Sequence, residues 1–62
     1  MRVRRSSPRM TLGLAVTIWR MSLYDFHQHQ IAAELNLNQG RISEVLTRKR
    51  FPEAEALALK GV

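Results

Sequence analysis

The sequence predicts a small all-α domain of three to four helices with a central helix-turn-helix, and three observations carry that expectation. Apolar residues recur at helical spacing in successive short segments, and capping residues interrupt those segments. The chain has 62 residues and no cysteine, so no disulfide can staple an alternative small fold. A chain this short buries only roughly 60% of the surface its unfolded form exposes. Its core must therefore be economical, and dimerisation would support it.

Residues 1–9, MRVRRSSPR, lack apolar periodicity and read as a disordered basic arm ahead of a domain spanning 10–62. In residues 10–23, Leu12, Val16, Trp19 and Leu23 recur at helical spacing, with Leu14, Ile18 and Met21 on an adjoining stripe. Val16, Thr17 and Ile18 are β-branched, which leaves a strand open, but the length of the stripe favours a helix. Asp25 with Gln28 has the form of a capping box, so a second helix is expected to start near Phe26 and run to about Leu35. Asn38 opens a third helix whose buried stripe is Ile42, Val45 and Leu46. A fourth is expected over 52–60, with Pro52 at its start, Glu53 and Glu55 in its first turn and Gly61 after its end. Leu57 and Leu59 suit either a dimer contact or closure of the core, and Trp19, Tyr24, Phe26 and Phe51 are expected in the core.

Ten Lys and Arg against five Asp and Glu give a formal charge of +5. That balance points to a polyanionic partner, a nucleic acid or an anionic membrane surface. The uncharged run 10–19 behind basic residues superficially resembles a signal peptide. Arg20 ends the run at about half of the ~20 residues a membrane span needs, and no small-x-small cleavage pattern follows. No membrane span or secretion is therefore expected, a membrane-surface peptide using the basic arm and first helix is only a third and weaker reading, and the absence of cysteine fits the cytoplasm, where the nucleoid lies. His27 and His29 are two apart, the wrong spacing for a pair of metal ligands on one helix face, and no cysteine or carboxylate cluster assists them. No metal, cofactor or catalytic set is expected, and an enzyme is not expected from so small a helical chain.

The function rests on residues 28–46, QHQIAAELNLNQGRISEVL. Ile31, Leu35, Leu37, Ile42 and Val45 fall where two helices joined by a tight turn need apolar residues to seal them. Ala32 falls where the helices approach most closely, and Asn36 where the turn needs positive φ. With these features the segment resembles the helix-turn-helix of phage Cro and repressor proteins and of small bacterial regulators built like them. The likeness extends loosely through LTRKRFPEA at 46–54.

The resemblance implies double-stranded DNA as partner, with residues 39–47 as the recognition helix in the major groove. Asn38, Gln39, Gly40, Arg41, Ser43, Glu44, Thr47 and Arg48 would then meet the DNA. In that setting Gln39 suits adenine, and Arg41 suits guanine or a phosphate. Glu44 either accepts from a cytosine amino group or orients Arg41 or Arg48. Gly40 replaces the family's usual polar side chain and would allow close approach to the groove. Gln28 matches a phosphate-holding position in related proteins, and serves equally as a cap. Arg48, Lys49 and Arg50 are expected to follow the DNA backbone. Arg2, Arg4 and Arg5 of the arm either enter a minor groove or add non-specific affinity. A transcriptional regulator follows, expected to be a homodimer and to repress or to control a mobile element. The alternative is an adaptor offering Leu12, Val16, Trp19 and Leu23 of the first helix to a protein partner such as a regulator or polymerase subunit.

Overall fold

The computed structural model describes residues 9–61, and within them the chain is all-helical. Four helices follow one another: α1 (Leu12–Leu23), α2 (Gln28–Leu35), α3 (Gln39–Leu46) and α4 (Ala54–Lys60). The expected arm residues Arg2, Arg4 and Arg5 lie outside the described residues.

Helix α1 begins where the Thr11 side chain accepts a hydrogen bond from the Leu14 N–H at 3.1 Å. The β-branched residues 16–18 sit inside it, so the strand alternative is removed. Its fully packed face is Ala15, Ile18 and Trp19, an i, i+3, i+4 set. Leu12, Leu14, Val16 and Met21 are half-buried against the core, while Leu23 is exposed. The buried face is thus rotated from the expected stripe of Leu12, Val16, Trp19 and Leu23. A helix that is apolar over most of its circumference does not fix the centre of its buried face; the neighbours do. Here α1 packs against each of the other three helices.

The first three helices end in the same way. Asp25, Asn36 and Arg48 have φ of 70°, 57° and 67°. The N–H of the following residue reaches back five positions in each case: Phe26 to the Met21 carbonyl at 3.1 Å, Leu37 to Ala32 at 2.9 Å, and Lys49 to Glu44 at 2.9 Å. The left-handed residue itself bonds three positions back, to Ser22, Ala33 and Val45. These are Schellman closures, which satisfy carbonyls at the end of each helix without further chain.

Asp25 therefore closes α1 and does not cap α2, which corrects the expected capping box. The residue before α2 is His27, whose N–H donates to Gln30 Oε1 at 2.9 Å. Asp tolerates a left-handed backbone almost as well as Asn, so the same residue type suits either task. The turn it makes leaves Tyr24 and Phe26 exposed, against the expectation that both join the core.

Helix α4 starts at Ala54, two residues later than expected, because Phe51 is left-handed at φ 50° and its carbonyl accepts from the Ala54 N–H at 2.9 Å. Phe51 itself packs half-buried against the core, as expected. The buried residues of α4 are Ala54 and Ala58, while Leu57 and Leu59 remain 40% and 51% exposed. Since α4 packs chiefly on α1, which contributes Ala15, these small side chains let the two helices approach closely. Gly61 ends α4 and leaves room for the Arg20 guanidinium, which a Cβ there would strike. A cation at that end of a helix also complements its dipole.

The core combines these faces: Ala15, Ile18 and Trp19 of α1, Ile31 and Ala32 of α2, Leu37, Ile42 and Val45, and Ala54 and Ala58. No buried polar or charged residue is found among the described residues. No helix among them is long and apolar enough to cross a membrane.

Candidate nucleic-acid interface

The candidate interface is built by the turn between α2 and α3. Ile31 and Ala32 of α2, Leu37 of the turn and Ile42 and Val45 of α3 are all buried, and Leu35 is half-buried against them. Left-handed Asn36 turns the chain at the predicted position. One residue after Leu37, the Asn38 carboxamide oxygen accepts from the Gly40 N–H at 2.8 Å and starts α3. With Ile42 and Val45 fixed inward, the geometry of the helix sends Gln39, Gly40 and Arg41 outward.

Gln39, Gly40, Arg41 and Thr47 are exposed, and Ser43 and Glu44 are partly so. Arg41, Lys49 and Arg50 carry positive charge on exposed side chains at and beyond this helix. Gln28, the first residue of α2, is exposed beside the N-terminal end of that helix. The predicted residues therefore reach the surface, though they are not equally uncommitted. The Asn38 oxygen is occupied by its cap, leaving its amide NH2. The Thr47 hydroxyl donates to the Ser43 carbonyl at 2.8 Å, leaving its methyl and lone pairs.

Gly40 has a further constraint that the sequence did not show. A Cβ there would lie 3.2 Å from the Asn38 oxygen, so glycine gives the cap room as well as flattening the helix surface. Its backbone does not require positive φ. Glu44 pairs with neither Arg41 nor Arg48 among the described residues.

Arg48 is instead held by Glu55 of α4, through Nε to Oε1 at 2.8 Å and Nη2 to Oε2 at 2.9 Å. Its guanidinium carbon lies 5.4 Å from the centre of the Trp19 ring. The sequence alone does not pair Glu55 and Trp19 with this arginine, because they come from different parts of the chain and only the fold brings them together.

His27 and His29 have parallel rings 5.9 Å apart, with His27 just before α2 and His29 inside it. Among the described residues no group of three or more His, Cys, Asp or Glu side chains is placed to hold a metal ion. A shallow depression at the turn is lined by Ala32, Ala33, Asn36, Leu37, Asn38 and Gln39, with no titratable side chain in it.

The adaptor alternative required an outward apolar face on α1. Trp19 is 8% exposed and Leu12 and Val16 are half-buried, so of that stripe only Leu23 is freely presented. Comparisons with protein-family models, with curated proteins and with solved structures found no match to this chain.

Proposed function

We propose that this protein is a sequence-specific double-stranded DNA-binding regulator that reads the major groove with the outward face of α3. One observation carries the reading: Gln39, Gly40 and Arg41 stand exposed at the start of a helix whose opposite side is anchored by fully buried Ile42 and Val45. Rigid presentation of a few polar side chains is what base readout requires, since each good bidentate contact discriminates by about 1–3 kcal/mol.

In this reading Gln39 pairs with adenine and Arg41 with guanine or an adjacent phosphate. Lys49 and Arg50 neutralise phosphates beyond the C-terminal end of α3, and Gln28 holds one at the start of α2. The exposed glycine at 40 lets the helix lie close to the base edges. Two copies would read half-sites about 34 Å apart on one face of the duplex. Occupation of a promoter or of a mobile-element control site by that dimer represses transcription, and the proposed setting is the nucleoid.

The test compares Gln39→Ala and Arg41→Ala with the parent protein on a selected duplex and on random duplexes. The reading expects each substitution to weaken the selected site about 5- to 150-fold, equivalent to about 1–3 kcal/mol, with much smaller losses on random DNA. Equal losses on both substrates would remove these residues as base readers.

A further inference from the structure

Arg48 is the odd member of the three left-handed helix ends. Asp25 and Asn36 are residue types that tolerate positive φ through short polar side chains, whereas Arg48 at φ 67° has no such ease. Asn or Gly at that position would close α3 at lower conformational cost. An arginine there needs compensation from its side chain, and the structure supplies it twice.

The Glu55 carboxylate receives the guanidinium with both oxygens, at 2.8 and 2.9 Å. The Trp19 indole lies beneath it at 5.4 Å. An ordinary exposed ion pair contributes little, but a bidentate pair that also stacks on an aromatic face is the favourable case. Trp19 itself is an expensive core residue, since its buried indole N–H meets no acceptor among the described residues. What it offers beyond a smaller apolar side chain is a broad π face, and Arg48 occupies that face.

We propose that Arg48 is a positioning residue, one that clamps the C-terminal end of α3 to both α1 and α4 and fixes how the helix is presented to DNA, and is not itself a phosphate ligand. This rests on the DNA-binding reading above and sharpens it, because the basic run 48–50 is thereby divided: the Arg48 guanidinium is engaged by Glu55 and Trp19 although its side chain is 57% exposed, while Lys49 and Arg50 remain for phosphates. Glu55 becomes the second half of the clamp.

The two roles make opposite demands on side-chain chemistry. A phosphate ligand needs a positive charge, so Arg48→Lys would preserve it and Arg48→Ala would lower the salt slope of binding by about 0.9. A clamp needs the planar fork, which lysine lacks. Arg48→Lys and Arg48→Ala are therefore expected to weaken the selected duplex alike, by about 3- to 10-fold, with the salt slope unchanged. Glu55→Gln, which leaves the arginine charge intact, is expected to do the same. All three should lower Tm, by about 4–8 °C for a loss near 1 kcal/mol, and shift the emission of Trp19, the sole tryptophan.

The proposal is overturned if Arg48→Lys binds and melts like the parent protein while Arg48→Ala loses salt slope, or if Glu55→Gln binds DNA more tightly. Tm and Trp19 emission are measured without DNA, so the clamp is tested apart from the function. Shifts in both, in a chain that binds no duplex at any salt concentration, support the clamp while overturning the DNA reading.

Discussion

The α2–α3 pair and the α1–α4 pair solve the same docking problem with different side chains. Between α2 and α3, a short turn fixes the geometry, and Ile31, Leu37, Ile42 and Val45 fill the space beneath it. Between α1 and α4, which are far apart in sequence, Ala15, Ala54 and Ala58 are fully buried while Leu57 and Leu59 stay outside. The first pair is held by local chain geometry and filled with bulk. The second relies on close approach, so its alanines are the residues with least freedom to change.

Enlarging an alanine in the second pair should have the largest effect. Ala58→Leu is expected to cost about 1–3 kcal/mol, because the added carbons must be accommodated by separating α4 from α1. Chemical denaturation followed by Trp19 emission measures this. A loss below about 0.5 kcal/mol would mean that α4 has another way to dock.

The turn of the first pair should respond to backbone demand instead of size. Asn36→Ala is expected to cost about 1 kcal/mol because alanine resists the left-handed conformation, whereas Asn36→Gly should stay close to the parent protein. Thermal melts of the two variants decide it, and equal destabilisation would show that the carboxamide matters more than φ.

The smallest effect is expected outside both pairs. Leu57→Gln and Leu59→Gln together should change the stability of the monomer by no more than about 0.5 kcal/mol. If stability falls further, and does so in a concentration-dependent way, these leucines are covered in self-association.

The same contrast explains what could be read from the sequence. The end of α2 and the capped start of α3 were legible because their signals are local: the Ile31, Leu35 and Ile42 spacing, Asn36 for positive φ and Asn38 for the cap. The orientation of α1 was not, since residues 12–23 are apolar on several sides and only the partners select Ala15, Ile18 and Trp19. Asp25 was misplaced because an aspartate before a helix reads as a cap, and its left-handed closure of the preceding helix becomes visible only with the backbone. At the candidate interface, the exposure of Gln39, Gly40 and Arg41 was legible from their position opposite the buried stripe. The commitment of Arg48 to Trp19 and Glu55 was not, because it joins three helices across 36 positions of chain, from 19 to 55.

The central claim is that the exposed face of α3 reads DNA sequence. Selection of bound duplexes from a random pool by the intact chain tests it most directly. The account predicts enrichment of a short motif repeated as two half-sites with twofold symmetry, centred about 10–10.5 base pairs apart. It also predicts that Arg41→Ala relaxes the preference at one position of each half-site. A pool that remains random after repeated rounds, at salt concentrations where the chain still binds duplex, would contradict it.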